Sequence, residues 1–279
     1  MNWAEIYRFR YFLRNMVVRD LKVRYKGSVL GLLWSLMNPL LMMLVFYVVF
    51  TFAFKINIPH YPVFLLCGLV PWNFFAISIS NATGSIIGQA GLVKKVAFPR
   101  EILPLASNLA NLVHFGIGLL ILFGLMVIFR VKIGYWALGL PVLVLTQVVF
   151  VFGLSLILSS LNVFYRDVQQ ILEVLIQLWF YLTPTFYPLS MIPERIQHFQ
   201  RLYQSNPTRL FYFLSTIPVR RLYLLNPMAG LVTMYRAILF ENQIPSYKLL
   251  LTTVIVSVFT FLLGTLVFSR YRFRFAEEL

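Results

Sequence analysis

Of the 279 residues, 60% are hydrophobic and only 12% charged, against about a quarter charged in a soluble domain, so a soluble globular protein is excluded. The net charge of +15 does not call for nucleic acid, because the basic residues cluster beside apolar runs, where anionic headgroups and topology account for them. The single cysteine, Cys67, excludes an intrachain disulfide framework.

In chain order, residues 4–26 come first. Ile6, Phe9, Leu13, Met16 and Val17 share one helical face, and Arg8, Asn15, Arg19, Lys22 and Lys26 another. This pattern predicts an amphipathic helix lying in the cytoplasmic interface, with Asp20 and Arg24 intruding on its apolar arc. A plain positive anchor is the alternative. No small-residue cleavage site follows, so no removable signal peptide is expected.

Six apolar runs then predict six spans, at 30–54, 63–83, 105–129, 138–163, 168–186 and 249–268, each near the ~20 residues a bilayer needs. Pro71 is expected to interrupt the second, and Pro184 to sit near the end of the fifth. Between the second and third lies the basic, Gly-broken stretch 84–104, punctuated by Pro99 and Pro104. Backbone this polar must surface in water. Lys94, Lys95 and Arg100 place it on the cytoplasmic side, and the other short flanks put both termini there too. Residues 190–247 are cut by Pro193, Pro207, Pro218 and Pro227 and keep short apolar pieces, which predicts short helices that dip into the outer leaflet and return.

Several chemistries have no residues to carry them. No G-x-x-x-x-G-K-[ST] phosphate loop occurs, so nucleotide hydrolysis is not expected of this chain. His60, His114 and His198 are too scattered for a metal site. An ion-coupled carrier needs ionisable groups inside the membrane, and only Glu173 and His114 offer themselves. Aromatic residues, 17% of the chain, exceed an interfacial belt in the run Trp179 to Pro188. There Trp179 and Phe186 share a helical face, as do Phe180 and Tyr187. Stacking on sugar rings and plain contact with lipid both fit this run.

The order of motifs carries a family resemblance. After the basic-aromatic N-terminal helix come Gly31-Leu-Leu-Trp-Ser-Leu-Met-Asn-Pro39, Gly68-Leu-Val-Pro-Trp72 and Lys94-Lys-Val-Ala-Phe-Pro-Arg-Glu-Ile-Leu-Pro104. Asn162-Val-Phe-Tyr-Arg-Asp167, Trp179 to Pro188, Asn226-Pro-Met228 and Tyr235-Arg236 follow. Over nearly its whole length the chain resembles the ABC-2 type permeases that export lipid-linked polysaccharides, namely O-antigen, capsule and teichoic acid. The resemblance implies an all-α polytopic membrane protein of the bacterial inner membrane. It implies a homodimer of six-span subunits with two copies of a cytoplasmic ATPase, which binds the ATP and Mg; no cofactor is expected in this chain. The 84–104 stretch would be the coupling loop, with Lys94, Lys95, Phe98, Pro99, Arg100, Glu101, Arg166 and Asp167 meeting the ATPase. Topology signalling alone is the other reading of the basic residues, and capping of span five that of Asp167. Trp72, Phe75, Trp179, Tyr181, Phe186 and Tyr187 would line a polymer channel. Gate helices are implied within 190–247, although residues 205–221 read as extra sequence. Two other classes stay open: an exporter of small lipids or drugs from the same superfamily, and a membrane-embedded glycosyl- or acyltransferase, for which no converging carboxylate or histidine pair is visible.

Overall fold

The computed structural model of the chain describes residues 3–25, 33–53, 55, 58–194 and 218–279. The expected insertion at 205–221 and the middle of the 190–247 segment therefore lie largely outside the described residues, as do residues 26–32. Among the described residues every regular element is helical.

The amphipathic N-terminus is two helices, α1 (Trp3–Arg8) and α2 (Arg10–Tyr25), divided at Phe9. The first apolar run forms α3 (Leu33–Val48), continued by a π-helical turn over Val49–Ala53. Next come α4 (Tyr61–Gly84), the short α5 (Ala90–Lys95), α6 (Ile102–Ile128), α7 (Leu140–Phe164) and α8 (Val168–Tyr181). After residue 218 come α9 (Val219–Tyr223), α10 (Pro227–Leu239), α11 (Tyr247–Tyr271) and the terminal turn α12 (Phe275–Glu278). Four helical stretches among the described residues, built on α4, α6, α7 and α11, are long and apolar enough to cross a membrane.

Two expectations are corrected. Pro71 does not interrupt the second run: α4 is continuous for 24 residues. Gln147 of α7 donates to the Pro71 carbonyl at 2.7 Å and accepts from Tyr235 Oη at 2.9 Å, which ties α4 at the proline to its neighbouring helices. The fifth run does not stay helical to 186 either. α8 stops at Tyr181 after 14 residues, about 21 Å, well short of the ~30 Å hydrocarbon core. Thr183, in the turn ahead of Pro184, sets its hydroxyl back onto the Trp179 carbonyl at 2.8 Å. The shared faces expected for Trp179 with Phe186 and for Phe180 with Tyr187 therefore do not exist.

Helix α4 is the centre of the bundle, packed on α3, α6, α7, α8 and α10. Its buried side chains include Val63, Leu66, Phe75 and Ile79. By contrast α6 and α11 keep long apolar faces outside, with Leu120 71% and Leu266 67% exposed. The most extensive helix pair is α7 with α11, and it depends on two glycines. A Cβ on Gly153 would stand 2.5 Å from the Phe261 backbone, and one on Gly264 would stand 2.2 Å from the Gly153 carbonyl oxygen. Small residues let membrane helices approach until backbones touch.

This contact gives a direct test. Gly264→Ala forces α7 and α11 apart and costs about 1–3 kcal/mol, the usual penalty of overpacking. Gly116→Ala on α6 meets nothing within 4 Å and leaves stability unchanged. Thermal unfolding of the detergent-solubilised variants should show a lower midpoint for the first alone. Equal midpoints would contradict the close α7–α11 contact.

Candidate functional site

Two regions carry the residues singled out above, one at each end of the bundle. At the end that holds both termini, one hydrophobic cluster joins α2, the 86–98 segment, α7 and the C-terminal tail. Met16, Ile86, Val93, Val163, Phe268 and Phe275 are all buried in it. Polar contacts add to the joint: Arg19 Nη1 donates to Gln89 Oε1 at 2.9 Å, and Asn162 Nδ2 donates to the Thr83 carbonyl at 3.1 Å.

The candidate coupling residues divide on this platform. Lys94 and Lys95 end α5 and are exposed. Phe98 is half-buried with its ring 5.0 Å from that of Phe12, and Pro99 is buried. Arg100 donates to the Arg272 carbonyl, and Glu101 Oε1 pairs with Arg272 Nη1 at 3.0 Å while only 2% exposed. Burial first, and then the Arg272 guanidinium, lower the Arg100 pKa, whereas Glu101 raises it. Glu101 thus turns inward, which corrects its expected place on an outward ATPase-facing surface. It grips the C-terminal tail, because a carboxylate buried this deeply needs a cation. Arg166 and Asp167 are exposed at the α7–α8 junction. Asp167 occupies the cap position of α8 without a side-chain cap hydrogen bond, so what it offers that helix end is its charge and not a bonded cap.

At the opposite end, the aromatic run turns back on itself over 182–187, and each of its carbonyls accepts a hydrogen bond. Asn226 is the first anchor. Its Oδ1 accepts from Trp179 Nε1 at 2.7 Å and from the Met228 N–H at 3.0 Å, which caps α10. Its Nδ2 donates to the Leu182 carbonyl at 3.0 Å and to Thr183 Oγ1 at 3.1 Å. Arg236 is the second anchor. Only 4% exposed, it donates to the carbonyls of Pro184, Thr185 and Tyr187, and to that of Phe64 at 3.3 Å. Its guanidinium stands 3.6 Å over the Phe64 ring. Tyr61 Oη donates to the Phe186 carbonyl at 2.7 Å. Gly68 makes the fit possible, since a Cβ there would come within 2.6 Å of the Thr185 carbonyl oxygen and 2.9 Å of the guanidinium.

The ring set expected along a channel is split by this packing. Trp72 and Phe75 are buried, 4% and 0% exposed, with rings 5.2 Å apart and Phe75 4.9 Å from Trp179. They offer no face to a polymer and form core, which corrects their expected role. Trp179 is half-buried between Phe75 and Asn226. Tyr181 is 58% exposed, and Phe186 and Tyr187 are half-buried beside it, with ring centroids 4.9 Å apart. Tyr187 Oη lies 2.9 Å from the Tyr181 carbonyl and 2.6 Å from Tyr223 Oη. Arg236 and Asn226 stood in the sequence without a role. The usable signal was a lone arginine in the apolar run 228–239, since a charge among apolar residues needs partners.

The family model described as ABC-2 type transporter matches residues 11–212. The chain is 34% identical over 277 residues to the O-antigen export system permease protein RfbA of Klebsiella pneumoniae, covering 98% of each chain. It is 36% identical over 280 residues to the protein of that name from Myxococcus xanthus, covering 99% of this chain and 98% of the relative. It is 22% identical over 186 residues to the polysialic acid transport protein KpsM of Escherichia coli, covering 64% of this chain and 71% of the relative. Matched over most of its length by that model and over nearly all of it by two relatives above 30% identity, this chain belongs to the ABC-2 type transporter family.

Proposed function

We propose that this chain is the permease subunit of an ABC exporter that moves a lipid-linked polysaccharide, of the O-antigen class, across the bacterial cytoplasmic membrane. The observation that carries the reading is the match along nearly the whole chain to permeases named for O-antigen export, at 34–36% identity. The similarity to a polysialic acid transport protein supports the wider class of sugar polymers.

In this reading α3, α4, α6, α7, α8 with its turn, and α11 are six spans, both termini are cytoplasmic, and α9 and α10 belong to an outer gate. Two copies of the chain pair with two copies of a separate ATPase that binds ATP and Mg. Lys94 and Lys95, exposed on α5, meet the ATPase together with Arg166 and Asp167, while Phe98, Pro99, Arg100 and Glu101 hold the loop to α2 and the tail. A platform packed by one apolar cluster moves as a unit when its exposed edge is pushed, which suits a contact that must transmit force. The part of the aromatic set left for a sugar ring is Tyr181, with Phe186 and Tyr187 at its side.

Two experiments test the two halves. Lys94→Glu with Lys95→Glu should weaken co-purification of the ATPase by about tenfold or more, since close interfacial charge pairs couple at about 1.5 kcal/mol upward. The variant should still insert at normal levels. Undiminished co-purification would leave the two lysines as topology signals. Tyr181→Leu keeps apolar bulk but removes a stacking face worth about 0.5–1.5 kcal/mol. Surface polysaccharide should fall about twofold to tenfold at normal protein level and ATPase activity. Full surface polymer would remove the ring from the polymer path.

A further inference from the structure

A cleft of about 550 Å³ opens between α2, the end of α4 and the first half of α6, a size typical of small-molecule sites. It lies apart from the outer aromatic turn and beside the coupling platform. Its lining runs along α6 from Leu103 to His114, a rise of about 16 Å, so it passes from the helix end deep into the apolar layer. Yet it is polar on two levels. At its mouth Arg19 donates to Asp20 Oδ1 through Nε and Nη2, at 3.4 and 3.0 Å, and to Gln89 Oε1 through Nη1. Those contacts take three of the five guanidinium N–H groups, and the Arg19 side chain is 40% exposed. Among the described residues only Oδ1 of Asp20 is engaged, and its side chain is 33% exposed. Deeper in, Asn111 is 2% exposed and accepts from Asn81 Nδ2 at 3.3 Å through Oδ1, while its own Nδ2 has no partner among the described residues. A buried amide donor without an acceptor is costly.

We propose that this cleft holds one glycerophospholipid of the inner leaflet whose headgroup carries a primary ammonium, the phosphatidylethanolamine class. The phosphodiester accepts from the two remaining N–H groups of Arg19. The ammonium, two carbons away, donates to Asp20 Oδ2. A cation and an anion side by side match a zwitterion, whereas Asp20 opposes a purely anionic headgroup. The ester carbonyls sit deeper than the phosphate and are acceptors, which is what Asn111 Nδ2 lacks. The acyl chains leave along the apolar wall of α6 into the bilayer. A lipid seated here bonds α2 to α6 behind the coupling segment, a place distinct from the path proposed for the polymer.

The test is lipid retention by the purified full-length chain, measured by native mass spectrometry after delipidation and addition of one lipid at a time. Phosphatidylethanolamine should be retained about tenfold better than phosphatidylcholine, whose quaternary ammonium cannot donate to Asp20, and better than phosphatidylglycerol, which lacks the cation. These comparisons use the unaltered protein, so no folding defect enters. Asp20→Asn and Asn111→Leu should each lower phosphatidylethanolamine retention, with the former also erasing the preference over phosphatidylcholine. Equal retention of the three lipids, or variants that bind like the parent, would overturn the assignment. Displacement of the bound phospholipid by an isoprenoid diphosphate at equal concentration would overturn it as well, since the cleft would then serve the exported substrate. The binding readout does not depend on export, so loss of the polysaccharide reading would leave it standing.

Discussion

The end of the bundle opposite the chain termini depends on the guanidinium of Arg236. Helix α8 stops at Tyr181, and the chain continues as a non-helical turn packed against α4. Backbone of this kind survives at membrane depth only if protein groups bond its carbonyls. Arg236 covers Pro184, Thr185 and Tyr187, Tyr61 covers Phe186, and Asn226 covers Leu182. A buried guanidinium is itself expensive, and no carboxylate is paired with it among the described residues. Four carbonyl dipoles and the Phe64 ring take that part. Each group satisfies what the other cannot satisfy alone.

The arrangement makes short helices workable in a thin space. α10 has 13 residues and starts from the Asn226 cap, and nearly all its side chains from Met228 to Leu239 are buried. Without the Asn226 and Arg236 contacts neither α8 nor α10 would have a defined end. The turn also fixes the rings on either side of it, so the exposed face of Tyr181 and the pair Phe186 and Tyr187 inherit their positions from the backbone contacts of Arg236 and Asn226. At the other end a different solution operates. There the basic segment before α6 is held by an apolar cluster and by the Arg272 contacts to residues 100 and 101. The uninterrupted α4 runs between the two, from Tyr61 and Gly68 beside the turn to Thr83 and Gly84 beside the platform.

The long helices were legible in the sequence because uninterrupted hydropathy over about 20 residues has few other meanings. The end of α8 was not, because Pro184 placed a break only near residue 184 and the turn that begins after Tyr181 is stabilised by residues some 40 to 50 positions later. Trp72 and Phe75 show the same limit: aromatic content does not say which way a ring faces, and both point into the core. Glu101 read as a loop charge and is buried, since its partner Arg272 lies 171 residues away. Lys94 and Lys95, for which the described residues provide no such partner, stand exposed as a basic loop pattern predicts. Family resemblance supplied Asn226 and Arg236 as motif residues, but only their contacts supply the reason for them.

Hydrogen–deuterium exchange over residues 182–187, compared between the parent and Arg236→Lys in the same detergent, tests the dependence on Arg236 most directly. Lysine keeps the charge, but a compact ammonium cannot fork across the carbonyls on both sides of the turn. Each buried acceptor left unpaired costs about 1–3 kcal/mol, so exchange of the turn amides should rise by about tenfold or more. Exchange within α7 and α11, held by the Gly153 and Gly264 contact, should stay as in the parent. Unchanged protection of the turn in the lysine variant would contradict the role assigned to the guanidinium.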